Sequence, residues 1–177
     1  MAEPATLRAV EARDHGALAT TLARSFYDDP VWSWFFPDDA TRLRRASRVF
    51  RRLLGAYAAK GVVSATDDLS AGALWQPPRE RAPNRWLELL SGLPVGIAFG
   101  SALPRAARLN DVLVAHRPKR PHRYLGILGT DPERQGEGLG SLLVREGLES
   151  CRRQGVDAYL ESSNPRNVPF YRRHGFE

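Results

Sequence analysis

The stretch DPERQGEGLGSLLVREGL, residues 131–148, decides how this chain is read. Gly136, Gly138 and Gly140 stand on alternate positions directly ahead of an apolar helical pattern. A glycine inside a helix costs about 1 kcal/mol relative to alanine, so the cluster needs a reason. Leu139, Leu142, Leu143 and Cys151 are spaced to share one helix face, which places the first turn near Gly136 to Ser141. The unpaired amides and positive dipole end of a helix start form an anion site, and side chains stripped from it let a phosphate approach closely. The lysine of a GxxxxGK[ST] loop is missing, and so is the third glycine of GxGxxG. A strand with a proline stop, PHRYLGILGTDP, precedes the cluster.

Outward from this stretch, the second half alternates strand, helix, strand, helix, strand. The elements are the strand at 121–132, a helix to about Arg153, the strand VDAYLES, a helix through VPFYRRHG, and a strand starting at Phe176. The first half reads as a strand at 7–12, a helix from an Asp14 N-cap to Phe26, and the aromatic joint YDDPVWSWFFPDD. A basic amphipathic helix follows at 41–59, then two short strands, GVVSAT and SAGALWQPP, turning at Asp67-Asp68. Residues 79–117 read as two helical segments interrupted by GLPVG. This order specifies a mixed α/β, or α+β, sheet domain.

The 177 residues suit one domain, and 42% hydrophobic with 26% charged residues fit a globular chain. No apolar run is long enough for a membrane helix, MAEPATLRAVEARD has no signal-peptide core, and Cys151 has no partner for a disulfide. A cytoplasmic protein without membrane attachment is expected. The net charge of +6 comes from scattered arginines, Lys60 and Lys119 being the only lysines. The knot RLRRASRVFRR reads as the solvated face of a helix that buries Leu43, Ala46, Val49, Phe50, Leu53 and Leu54, so no nucleic-acid partner is expected.

The segment QGEGLG resembles the Q/R-x-x-G-x-G/A signature of the GNAT superfamily of N-acetyltransferases, with Gln135, Gly138 and Gly140 in the signature positions. LGTDP ahead of it is similar to the family's fourth strand. NPRNVPFYRRHGFE resembles its N-x(6)-Y-x(3)-GF segment through Asn164, Tyr171, Gly175 and Phe176. A narrower likeness over roughly residues 70–177 is to the puromycin N-acetyltransferase group and its actinobacterial relatives, through GALWQPP, HRPKRPHRYLGILGTDPERQGEGLGS and YLESSNPRNVPFYRRHGFE. The resemblance implies a central, mostly antiparallel twisted sheet flanked by helices. Residues 1–117 would build mainly the acceptor side and 121–177 the acetyl-coenzyme A core of a single domain over 1–177. It also implies a monomer or homodimer. GFE falls where the family finishes its sixth strand and adds a seventh, so the final strand is expected to be missing.

Acetyl transfer from a thioester to a small-molecule amine requires a held cofactor, a polarised carbonyl, a deprotonated amine and a protonated thiolate. The resemblance implies that the amides of Gly136, Glu137, Gly138, Leu139, Gly140 and Ser141, with Gln135, hold the diphosphate, and that Leu128, Gly129 and Thr130 line the pantetheine arm. A bulge in that strand would aim the amide of Leu128 or Gly129 at the thioester oxygen, and Gly129 suits a bulge; relief of packing at Gly126 and Gly129 is the alternative. Tyr171 is the implied general acid. Asn164 or Asn167 could bond the cofactor arm, or cap the following helix. Glu161 is either the general base or a surface carboxylate beside an arginine such as Arg166. His116 and His122 are further candidates for the base. Cys151 reads as core, so transfer is direct. No metal site is expected. Trp32, Trp34, Phe35, Phe36 and Trp75 could wall an acceptor pocket, with Asp28 and Asp29 attracting a cationic amine, or belong to the core. The same motifs would also serve a sensor that binds acyl-coenzyme A without turnover.

Overall fold

The computed structural model describes residues 5–58, 62–78 and 93–177. Five strands, β1 (Leu7–Ala9), β2 (Val62–Thr66), β3 (Ala71–Gln76), β4 (His122–Thr130) and β5 (Asp157–Tyr159), lie in sequence order in one sheet. Neighbours are antiparallel from β1 to β4, whereas β5 runs parallel to β4. A parallel pair needs a crossover, and the helix following the glycine cluster supplies it.

Helices α1 (His15–Ser25), α2 (Pro30–Phe35) and α3 (Asp39–Ala58) precede β2; α4 (Leu103–His116) precedes β4; α5 (Leu139–Gln154) and α6 (Val168–Arg173) flank β5. Strand β3 is buried along nearly its whole length, because both faces are covered. On one face Leu18 and Leu22 of α1 and Val49, Phe50 and Leu54 of α3 pack with Leu74. On the other, Leu139, Leu143, Val144 and Cys151 of α5 pack with Ala71, Ala73, Trp75 and Leu125. Small residues permit these approaches. A Cβ on Gly72 would stand 2.8 Å from Leu18, and one on Gly147 would collide with the Trp75 indole.

The expected alternation of the second half is present, and α5 ends one residue beyond its expected limit. Several boundaries differ. Asp38 accepts from the Ala40 amide (3.1 Å) and the Thr41 hydroxyl (2.7 Å), so α3 starts at Asp39. Asp14 makes no cap bond to α1; it binds the Glu11 amide (2.9 Å) and Arg8. Residues 93–99, which include the last four of GLPVG, are helical, and a break follows at the 3-10 turn Gly100–Ala102, where Gly100 has φ +54°. The helical segment expected before GLPVG lies largely outside the described residues. Phe176 is not in a strand; it packs against Tyr171 with ring centroids 5.9 Å apart. Arg42 is not solvated. It is buried, donating to Phe36 O (2.8 Å) and Pro37 O (3.1 Å) beyond the end of α2, while Leu43 is exposed.

Candidate active site

Strand β4 enters the glycine loop under tight local control. The Asp131 amide donates to Ser70 O (2.7 Å), Asp131 Oδ1 accepts from the Glu133 amide (3.1 Å), and Gln135 Nε2 donates to Thr130 O (3.3 Å). Glu137 is bound by Arg134 Nε (2.8 Å), and the same guanidinium reaches Asp68 (2.7 Å). The Gln135 side chain thus closes the loop, and the Glu137 carboxylate is held by a cation of this chain. Gly136 (φ +87°) and Gly138 (φ +83°) occupy the left-handed region with open space around them. Backbone conformation, not crowding, demands glycine there. At Gly140 a Cβ would sit 3.6 Å from both Phe170 and Thr130 Oγ1, ordinary contact for a methyl group.

The consequence is a run of free donors. The first amide used in α5 is that of Leu142, which donates to Gly138 O (3.0 Å). No hydrogen bond among the described residues uses the amides from Gly136 to Ser141. No side chain among the described residues caps this end of the helix.

Beside the loop the sheet opens. Strand β5 pairs with β4 only at His122↔Asp157, Arg123↔Ala158 and Tyr124↔Tyr159, yet β4 continues to Thr130. Among the described residues its far half therefore has no strand paired to it on the β5 side. The Asp131 amide points toward β3 and that of Thr130 the other way, to Ser25 Oγ (3.1 Å); by alternation the Leu128 amide faces the opening. The bulge lies at Gly126, where Leu74 pairs with Ile127 but Trp75 with Leu125. Gly129, the expected bulge residue, keeps regular register with Gly72, and its missing Cβ admits Leu22 (2.8 Å) and Ser25 Oγ (3.0 Å). Packing explains Gly129.

Tyr171 lies on α6, half-buried against the α5 side of the core. Burial, and secondarily the Asp29 carboxylate, push its pKa up to about 12. Asp29 is itself buried; it caps α2 through the Val31 (2.9 Å) and Trp32 (3.2 Å) amides and accepts from Ser163 Oγ. This joins the α1–α2 connection to the loop carrying α6. Asn164 caps the 3-10 turn Pro165–Asn167 by accepting from the Arg166 amide (3.0 Å), while Asn167 is exposed and makes no side-chain cap bond. His174, which the spacing of residues did not single out, places Nε2 3.0 Å from Ser141 Oγ.

Glu161 belongs to a different cluster. Both carboxylate oxygens are buried with no hydrogen bond of good geometry among the described residues, and Oε1 is 3.9 Å from Arg117 Nε, also buried. The Arg117 guanidinium lies 3.9 Å over the Tyr124 ring, and Tyr124 and Tyr159 have centroids 6.1 Å apart. Burial first, then the Glu161 charge, raises both phenols above their usual range. Glu161 is therefore not a surface group beside Arg166; its partner is Arg117, and it stands two residues past the point where β4 and β5 part.

The Acetyltransferase (GNAT) family profile matches residues 65–176, well over half of the sequence. The chain belongs to this family. An uncharacterised N-acetyltransferase of Schizosaccharomyces pombe is 28% identical over 94% of this chain and 72% of its own length. A Corynebacterium glutamicum structure described as histone acetyltransferase HPA2 and related acetyltransferase has the same fold at 22% identity, with a TM-score of 0.68 over 98% of this chain and 84% of that one. So does a GNAT family acetyltransferase from Brucella melitensis in complex with acetyl-CoA, at 18% identity and a TM-score of 0.55 over 98% and 82% of the two chains.

This GNAT enzyme uses acetyl-coenzyme A. The free amides between two left-handed glycines and the first turn of α5 fit a diphosphate, and the open edge of β4 fits an amide-bearing arm. Most of the aromatic joint is core. Trp32, Phe35 and Phe36 are buried around Phe26, Phe50 and Phe99, with Trp32 stacked 4.1 Å from Phe50, and Trp75 is buried under α5; Trp34 is exposed. Asp28 is exposed at the surface.

Proposed function

We propose that this enzyme transfers an acetyl group directly to a primary amine of a small molecule. The observation that carries the reading is the row of unused amides from Gly136 to Ser141 beside the unpaired far half of β4, with the helix of Tyr171 docked on that row. The amides, Asn164 or Asn167, and the β4 edge at Leu128, Gly129 and Thr130 would hold the cofactor. The arrangement of Gln135 and Glu137 supports a role in shaping the loop. When bound, acetyl-coenzyme A supplies an activated acyl group and a thiol leaving group.

Tyr171 keeps its phenolic proton at neutral pH and delivers it from Oη to the departing sulfur. Glu161 takes the proton lost by the attacking nitrogen. Arg117 Nε stands 3.9 Å from Oε1 and positions the carboxylate. The Leu128 amide faces the opening and serves as the donor to the acyl oxygen. Cys151 is buried on the core face of α5, which supports transfer without an acetyl-enzyme.

The narrower likeness over residues 70–177 supports an aminonucleoside-like amine, or another antibiotic or metabolite, as acceptor. No helix among the described residues is long and apolar enough to cross a membrane, and we place the enzyme in the cytoplasm as a monomer or homodimer. The test is thiol release with acetyl-coenzyme A, with mass spectrometry of products across aminonucleosides, aminoglycosides, polyamines, amino acids and peptides. Acetylation of small amines is expected. Tight cofactor binding with no product from any amine would instead favour a sensor.

A further inference from the structure

Helix α6 rests on the mouth of α5 through two side chains. The Phe170 ring lies 3.6 Å from where a Gly140 Cβ would be, and His174 reaches Ser141 Oγ at 3.0 Å. The Phe170 ring also meets the imidazole edge-on, with centroids 4.9 Å apart. Ser141 is the last residue of the unused amide row, so this contact sits at the border of the proposed diphosphate site.

The imidazole is half-buried and feels Arg145 from α5 and Arg173, the last residue of α6; burial first, then these cations, hold its pKa below the ordinary value. It is therefore neutral at physiological pH, with one N–H. A neutral imidazole can meet a hydroxyl in two ways. If Nε2 accepts, the serine proton is spent on the ring, and the oxygen lone pairs remain for the loop. If Nε2–H donates, the serine oxygen is the acceptor and its own proton is free to turn outward. An anion beside Ser141 selects the second arrangement.

We propose that His174 is a positioning residue of the coenzyme site: donating from Nε2 to Ser141 Oγ, it turns the serine hydroxyl into a further donor for the diphosphate. This rests on the site assigned above to the amides of Gly136 to Ser141. The same residue ties that site to α6, three positions after Tyr171, so the acid-bearing helix and the phosphate-binding turn share one hydrogen bond.

The experiment is calorimetric binding of coenzyme A, and of pantetheine, which lacks the diphosphate. It uses the wild type, Ser141→Ala, His174→Phe, the double variant, and His174→Gln, which retains an N–H near the Nε2 position. Melting temperatures verify folding. Each of the first two variants is expected to weaken coenzyme A by about tenfold. The double variant should lose no more than either single one, His174→Gln should bind within about twofold of wild type, and pantetheine affinity should not change. His174→Phe losses that are equal for pantetheine, additive to Ser141→Ala, or absent overturn the proposal. A wild type that binds coenzyme A no better than pantetheine overturns the diphosphate site itself. Strong discrimination by the wild type that His174→Phe leaves intact removes only the role of His174.

Discussion

At the Tyr171 phenol, burial and the Asp29 carboxylate secure the proton, since a group raised to about 12 is fully protonated where the enzyme works. Replacing Tyr171 with Phe should lower kcat by roughly 10²–10⁴ and leave the Kd for acetyl-coenzyme A within about twofold; an unchanged single-turnover rate would remove Tyr171 from the acid role. At Gly138 the demand is on the backbone, because its φ of +83° is strained for any L side chain. Gly138→Asp adds a negative charge beside the amide row and should weaken cofactor binding at least tenfold (about 1.4 kcal/mol), whereas Gly140→Ala should bind and fold normally, because a methyl group fits there. Equal affinities in Gly138→Asp and wild type would contradict the assignment. The glycines of the loop were legible because their spacing and the helix behind them signal local conformation. Glu161 was only half legible: its partner Arg117 is brought to it by the fold, and nothing near either residue in the sequence pairs them.

Elements were legible to within a few residues wherever local signals decide them, as at the Asp67-Asp68 turn and the apolar face of α5. They were misread where tertiary contact decides. Gly129 looks like a bulge residue, yet the bulge is at Gly126, since register depends on β3 and a helix must approach Gly129. The aromatic joint looks like a binding wall, yet Trp32 and its neighbours fill the space between α2 and α3. Asp14 looks like a helix cap and instead ties β1 to the start of α1, with Arg8 at 2.6 Å from Oδ2 and 3.1 Å from Oδ1. The Arg8 guanidinium first, then the Glu11 amide, lower the Asp14 pKa to about 2 from 3.8. A depressed acid pKa stabilises the fold above the unfolded value, and that contribution is lost as pH falls through the folded one. The wild-type melting temperature should therefore drop more steeply than that of Asp14→Asn between about pH 4 and pH 2; parallel curves would show that the pair contributes nothing. Where α5 crosses β3, a Cβ on Gly147 would collide with Trp75, so Gly147→Ala should cost about 1–3 kcal/mol in urea unfolding.

Over the whole molecule, one geometric fact organises the chemistry: β4 and β5 pair for three residues and then separate. The amide row and Tyr171 helix belong to the α5 side, and the Glu161–Arg117 cluster stands just past the point of separation. Glu161→Gln should accordingly lower kcat/KM by about 10²-fold with little change in cofactor Kd, and full activity would dismiss it as base. The mixed sheet could be read from the sequence because the signals of its strands and helices are local. The contacts of Asp29 with Ser163 and of Arg117 with Glu161 could not, because the fold joins residues far apart in the chain. The most direct test is a crystal structure of this chain with acetyl-coenzyme A bound. Diphosphate oxygens are expected within hydrogen-bonding distance of the amides of Gly136 to Ser141, with the pantetheine arm along the open edge of β4; a nucleotide ordered elsewhere, with those amides facing only water, would contradict the site.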